Sequence, residues 1–267
     1  MDAHSVEPLD RRIIAAALGE RAPRFALDVR ETCASTSDAV HARLREGAPS
    51  GSVVVCETQT AGRGRRGRSW LSAPGDSLTF SLLWRFPAGA QPPVGLSLAA
   101  GVGVARALED MGAAGIGLKW PNDILADGAK LGGILIETVS EGGRHSAVIG
   151  IGLNVRLPRE IAAAVEVRAG ALDAVMPRAP SRNLLLARLL ASLADVLDEY
   201  ERTGFAGFAG EWQARHAHAG RLVRILADGA EPVEGRCAGV DADGALLLET
   251  AAGLKRIVSG DVSLRAT

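Results

Sequence analysis

Residues 62–68 read Gly-Arg-Gly-Arg-Arg-Gly-Arg, set between the β-branched run Val53-Val54-Val55 and Trp70. Gly62, Gly64 and Gly67 formally match G-x-G-x-x-G behind an expected strand, so the segment on their C-terminal side decides the fold. A dinucleotide-binding loop must open into a helix whose N-terminus faces the pyrophosphate, with an acidic residue about 20 positions further on. In this chain Pro74-Gly75 comes next, and then Ser77 to Phe86 alternates as a second strand. A Rossmann turn is excluded. The absence of a Lys-Ser or Lys-Thr pair after Gly67 excludes a P-loop as well. The guanidiniums therefore meet solvent, carboxylates or a polyanionic ligand.

Composition narrows the partner. The 267 residues carry 30 Lys and Arg against 31 Asp and Glu, a net charge of −1, and the pI is near 6.5. A dedicated nucleic-acid binder is usually more basic. The arginines thus form a local positive site in a balanced chain, which favours a small anionic ligand. Glycine lets a backbone approach such a ligand closely, and guanidiniums neutralise charge developing on a phosphoryl group. No apolar run approaches the roughly 20 residues of a membrane helix, and the start resembles no signal peptide, so a cytoplasmic location is expected. Cys33, Cys56 and Cys237 are widely spaced and form no Cys-x-x-Cys pair. They read as small buried or half-buried apolar side chains, not a disulfide framework or zinc site.

Working outward, residues 9–20 have helical periodicity, and Phe25, Leu27 and Val29 alternate as a strand. Ser35 to Ser37 offer capping hydroxyls to a helix closed by Gly47. Val53 to Cys56 reads as a buried strand, and Leu96 to Met111 as a small-residue helix. Ile116 to Trp120, Leu131 to Val139 and Ala147 to Leu153 read as three further strands. Ser181 to Tyr200 is a capped helix, and Phe205 to His216 continues as another. From Gly220 onward short strands alternate with Asp-Gly turns at 228–229 and 243–244, the pattern of a small β-barrel.

A second constellation lies downstream: Lys119-Trp120-Pro121-Asn122-Asp123, then Lys130-Leu131-Gly132-Gly133-Ile134-Leu135-Ile136-Glu137, then Gly150-Ile151-Gly152-Leu153-Asn154. With the arginine loop and Ser35-Thr36-Ser37, these segments resemble the biotin protein ligases in order and spacing over residues 30–265. The resemblance implies an α+β fold, with a mixed-sheet biotin/lipoate ligase-like catalytic domain over residues 1–218 and a small SH3-like β-barrel domain over 219–267. It implies that biotin's carboxylate attacks the α-phosphate of ATP, forming biotinyl-5′-AMP, and that a lysine of a biotin carboxyl carrier protein then takes the biotinyl group. The carboxylate is already a nucleophile at neutral pH, so this step needs positioning and charge stabilisation more than a strong base.

Carried onto matching positions, the resemblance assigns biotin to Ser35, Thr36, Ser37, Gln59, Arg63, Gly64, Arg65, Lys130, Gly132 and Gly133. It assigns ATP to Arg65, Arg68, Asn122, Lys130 and Asn154, and catalysis to Lys130, Arg65, Arg68 and Asp123. Lys130 is expected to bridge biotin's carboxylate and the α-phosphate. No protein metal site is expected; Mg²⁺ should be held mainly through ATP, with Asn122 a candidate contact. Arg66 is left as a solvated residue or one facing the carrier, while Trp70 and Trp120 are expected as packing walls. The histidines form no ligand set.

The chain departs from the family pattern in three places. Ser37 stands where asparagine is common, Ser69 where lysine is common, and residues 156–175 lack the usual tryptophan over adenine, leaving Ala162, Ala163 or Val165 as candidates for an apolar lid. About 30 residues precede the matching region, too few for a winged-helix repressor arm, so a short ligase acting without DNA, as monomer or homodimer, is expected. Two other readings remain: a lipoate or octanoate transferase of the same fold, and a non-enzymatic nucleic-acid-binding regulator.

Overall fold

The structure is a computed structural model that describes residues 7–72, 74–164, 168–226, 231–258 and 260–264, with Arg159 and residues 261–264 described by backbone alone. Helix α1 (Arg11–Leu18) begins where the Asp10 carboxylate accepts the N–H groups of Arg12 and Ile13. Strands β1 (Ala26–Cys33) and β2 (Ser52–Gln59) pair in parallel, with α2 (Thr36–Arg45) as their crossover. Ser35 caps α2. Next along the chain come β3 (Ser77–Arg85), α3 (Leu96–Asp110), β4 (Ile116–Lys119), β5 (Asp123–Ala126), β6 (Ala129–Glu141) and β7 (Arg144–Asn154). The seven strands form one sheet in the order β1-β2-β3-β7-β6-β5-β4, antiparallel beyond β2.

Alternation along the central strands divides the molecule into layers. Leu78, Phe80, Leu82 and Trp84 of β3 enter the main core with α3 and the long helix α5 (Arg182–Thr203). Helix α3 buries nearly its whole surface, and Gly103 lets α5 come close, because a Cβ there would sit 3.0 Å from Val196 Cγ2. On the opposite face Val40 of α2 meets Val54, Leu83 and Val148 in a second, smaller cluster. Past that cluster the same face turns polar at Thr79 and Ser81, and glycine-rich at Gly150 and Gly152. The sequence pattern thus builds a wall that is dry on one side and open to a ligand on the other.

Two elements depart from the sequence reading. Strand β5 is not expected from the pattern, because four residues behind Pro121 carry no resolvable alternation; it separates β4 from β6, whereas β6 and β7 are direct neighbours. The stretch 205–216 is not one helix but a 3₁₀ turn (Phe205–Phe208) leading into α6 (Ala209–Ala214). Gly204, Gly207 and Gly210 weaken a continuous helix there. The chain then runs beside β4: Leu118 N–H donates to Arg215 O (2.7 Å), and Ala217 N–H to Leu118 O (2.9 Å). That pairing covers the sheet edge.

The C-terminal strands β8 (Leu222–Leu226), β9 (Val233–Val240), β10 (Leu246–Thr250), β11 (Gly253–Ile257) and β12 (Asp261–Leu264) form an antiparallel sheet in the order β11-β10-β9-β8-β12. Among the described residues no ladder joins β11 to β12, so the sheet is open where a closed barrel is expected from the sequence. The Asp-Gly pair at 228–229 lies outside the described residues. Trp120 ties the two sheets together, its indole N–H donating to Gly244 O at 3.0 Å.

Candidate active site

A cavity of about 820 Å³ opens on the polar face of the large sheet, between α2, the arginine loop and the ends of β4 to β7. At one end, three hydroxyl residues of the α2 entry are buried together: Ser35, Thr36 and Ser37. Gln59 Oε1 accepts the backbone N–H of Thr36 (2.8 Å) and its hydroxyl (3.2 Å). Thr36 Oγ1 and Ser37 Oγ share hydrogen bonds with Ser81 Oγ at 2.8 and 3.1 Å. Motif reading misses Ser81, since a serine inside an apolar strand gives no local signal. Gly150 is glycine for a packing reason: a Cβ would lie 2.8 Å from Ser37 Oγ.

The arginine loop is a closed miniature hairpin. Gly64 N–H donates to Arg68 O (2.7 Å) and Trp70 N–H to Gly62 O (2.9 Å), around a 3₁₀ turn at Arg65–Gly67. Its four arginines have different duties. Arg63 pairs with Asp38 of α2 and Glu137 of β6, both at 2.8 Å, and His41 Nε2 lies 3.3 Å from that Glu137 carboxylate. Arg65 lines the cavity and reaches Asn122 Oδ1 (3.4 Å) and Gly260 O (3.5 Å). Arg68 also lines the cavity. Arg66, in the left-handed backbone region (φ 56°), instead donates to Leu226 O of the C-terminal sheet. Arg66 does not line the cavity; it joins the loop to the second sheet.

Lys130 reaches the cavity because of a register shift. Leu125 pairs with Lys130 while Ile124 pairs with Gly132, so Leu131 is an extra residue in β6. The bulge puts Lys130 and Gly133 on one face although they are three positions apart: a Cβ on Gly133 would lie 3.7 Å from Lys130 Nζ. Gly132 then faces away. It does not line the cavity, and a Cβ there would strike Gly152 O at 2.3 Å, so strand packing by itself requires glycine at this position. Asp123 holds Lys130 Nζ at 2.5 Å and Lys119 Nζ at 3.5 Å. Lys130 is therefore a partly buried, paired cation with its side chain 27% exposed, not a free surface lysine.

Asn122 is fastened at both ends of its amide: Nδ2 donates to Ile134 O (2.8 Å), and Oδ1 accepts from Arg65. Asp123 is the one carboxylate among the described cavity residues, and both its oxygens are taken by lysines. That donor set does not fit a hard cation needing free oxygens. Asn154 lines the far end and donates to Gly170 O (3.0 Å), while residues 168–170 pair with Lys130. Leu157, Ile161 and Ala164 supply the apolar wall beside it; Ala162 and Ala163 are exposed on the outer side of α4 (Arg159–Ala164), and Val165 lies outside the described residues. Trp70 forms a side wall, its ring so close to β7 that a Cβ on Gly152 would lie 2.5 Å from Cε2. Trp120 and Lys119 also line it.

Residues 30–154 match the model of the biotin/lipoate A/B protein ligase family, and residues 218–265 match the biotin protein ligase C-terminal domain. The chain is 35% identical to the biotin–[acetyl-CoA-carboxylase] ligase of Mycobacterium tuberculosis over 96% of its length and 95% of that protein. The chain belongs to the biotin protein ligase family. It is also 36% identical to the bifunctional ligase/repressor BirA of Escherichia coli K12, over 81% of this chain and 67% of BirA. The biotin protein ligase of Aquifex aeolicus, solved in complex with biotin and ATP, superposes with a TM-score of 0.76 at 31% identity, covering 90% of this chain and 99% of that one. The family membership makes the cavity the candidate active site of a ligase.

Proposed function

We propose that this protein is an ATP-dependent ligase that activates biotin as biotinyl-5′-AMP and transfers it to a lysine of a carboxylase carrier protein. The observation that carries the reading is one cavity lined together by the hydroxyl and amide cluster of Ser35 to Ser37 and Gln59, by the cations Arg65, Arg68 and Lys130, and by the apolar Leu157, Ile161 and Ala164. Ser35, Thr36, Ser37 and Gln59 offer donors and acceptors to the urea of biotin. Lys130, Arg65 and Arg68 stand where biotin's carboxylate and the α-phosphate meet, so that two anions are held together and charge on the transferring phosphoryl group is neutralised. The bond from the α-phosphorus to the β-phosphate bridging oxygen breaks, and pyrophosphate leaves.

Arg63, itself in the cavity lining, holds the loop closed through Asp38 and Glu137, while its backbone and that of Gly64 come close to biotin. Asn122 acts by positioning Arg65 rather than by touching a metal. Leu157, Ile161 and Ala164 form the face against adenine, with Asn154 at its edge. Asp123, relieved of Lys130 once that lysine engages the adenylate, orients the incoming carrier amine. Magnesium would travel with the triphosphate rather than on protein carboxylates.

The division into a ligase domain over 1–218 and a C-terminal domain over 219–267 agrees with the two sheets, with Trp120 and Arg66 bridging them. The balanced charge supports action on a protein carrier without nucleic acid. Among the described residues no helix is long and apolar enough to cross a membrane, in keeping with a cytoplasmic enzyme. Incubation with Mg-ATP, an apo carrier domain and either biotin or lipoate tests the reading: label on the carrier with biotin supports it, and label with lipoate alone replaces it.

A further inference from the structure

Cys33 ends β1 and Cys56 lies in β2, its parallel neighbour, and their sulfurs are 2.8 Å apart. Both are free thiols. A disulfide needs a sulfur–sulfur separation of about 2.05 Å, so the sulfurs must approach by less than about 1 Å. Because Cys33 pairs with Gln59 and Cys56 with Arg30 in the ladder, the end of β1 must also shift to bring the two Cβ atoms into bridging geometry. The two are not equivalent. Cys33 is half-buried and Cys56 buried. The contact with Cys56, helped by the nearby Arg30 charge, pulls the Cys33 thiol below its ordinary range despite burial, whereas Cys33 and burial push Cys56 up. A more acidic, more accessible thiol beside a buried partner is the arrangement of an oxidisable cysteine with its resolving cysteine. Cys237, buried in the C-terminal sheet and pushed up to about 11 by that burial, has neither feature.

We propose that Cys33 and Cys56 form a reversible oxidation site, in which a peroxide oxidises Cys33 and Cys56 converts it to a disulfide. The Cys33 thiolate attacks one peroxide oxygen, the O–O bond breaks, and hydroxide leaves as Cys33 becomes a sulfenic acid. The Cys56 sulfur then attacks the Cys33 sulfur; the S–O bond breaks and water departs with the Cys56 proton. Two electrons have passed from the thiols to one peroxide, and a dithiol reductant returns them.

The location gives the bond something to act on. The Cys33 and Ala34 carbonyls accept the N–H groups of Thr60 (3.0 Å) and Ala61 (2.9 Å), which tie the Ser35 entry to the start of the arginine loop. Cys56 stands three residues before Gln59, which holds Thr36. A bridge joins the two arms of the end assigned to biotin, so biotin's KM shifts several-fold. This consequence rests on the proposed ligase function; the bridge itself does not.

The test treats the purified full chain with hydrogen peroxide and counts thiols in denaturant. The expected result is a fall from three thiols to one, with a mass loss of about 2 Da, a Cys33–Cys56 linked peptide and full recovery with dithiothreitol. Cys237→Ser forms the bridge as the native chain does, and Cys33→Ser does not. Persistence of all three thiols, or conversion of Cys33 to sulfinic acid with Cys56 still free, overturns the proposal. A KM for biotin equal in bridged and reduced enzyme overturns the coupling to the pocket, and is read separately from the thiol count.

Discussion

Lys130 Nζ lies 2.5 Å from Asp123 Oδ1, across a β-bulge that places both residues in the lining of one cavity. The pair holds a cation in a half-buried position at the cavity wall. Lys130→Ala should therefore lower adenylate formation by about 10²–10³, the scale of losing one group that stabilises developing charge. Lys119 remains beside Asp123, so the stability cost should stay near about 1 kcal/mol. Pyrophosphate release measures the first quantity and thermal unfolding the second. Near-normal release would remove Lys130 from the chemistry.

Arg63 is the fastener of the arginine loop, held by Asp38 and Glu137. These groups are partly exposed, so global stability should change by less than about 1 kcal/mol in Arg63→Ala or Glu137→Gln. What should change is local: faster tryptic cleavage within 62–68 and a several-fold higher KM for biotin. Cleavage rates equal to those of the native chain would show that the ion pairs do not hold the loop.

Arg182 is 4% exposed and lies 2.5 Å from Glu57 Oε2, while its Nη2 donates to Glu7 O at 2.8 Å. It pins the start of α5 to β2. Arg182→Ala strands Glu57 in a poorly solvated site and should cost about 3–5 kcal/mol, read as a lower urea midpoint. A loss under about 1 kcal/mol would mean that water reaches and solvates Glu57.

His216 and His218 are buried, and the Nδ1 of each lacks a hydrogen-bond partner among the described residues. Burial pushes both imidazoles down to about 4; the neighbouring His218 adds to this at His216, as do Lys119 and Arg221 at His218. The fold therefore keeps them neutral, while the unfolded chain protonates near about 6.5. Their contribution is fully present above about 6.5 and is lost as pH falls towards 4, by about 2 kcal/mol per imidazole at pH 5. Urea midpoints at pH 7 and pH 5 should differ less in a His216→Asn, His218→Asn double variant than in the native chain. Equal differences would assign the acid sensitivity elsewhere.

Much of the cavity lining is legible in the sequence because its residues lie in short contiguous runs, so the resemblance of those runs to the biotin protein ligases picks out Ser35 to Ser37, the arginine loop, Asn122, Asp123, Lys130 and Asn154. The hidden remainder depends on pairing between distant strands. Ser81 joins the site only because β3 lies beside α2, and the bulge at Leu131 decides that Gly133 lines the cavity while Gly132 does not. The Cys33–Cys56 contact likewise exists only because β1 lies beside β2, where the end of β1 brings Cys33 to Cys56 although the ladder pairs Cys33 with Gln59. The apolar wall beside Asn154 escapes sequence reading in detail because alanine-rich residues 159–164 give no periodicity by which to choose a face.

Mass spectrometry of an apo carrier domain after incubation with the enzyme, Mg-ATP and biotin tests biotin activation and transfer at this cavity. One biotinyl group is expected on the carrier's target lysine, dependent on ATP and lost with Lys130→Ala. An unmodified carrier, or one modified by lipoate and not by biotin, would contradict it.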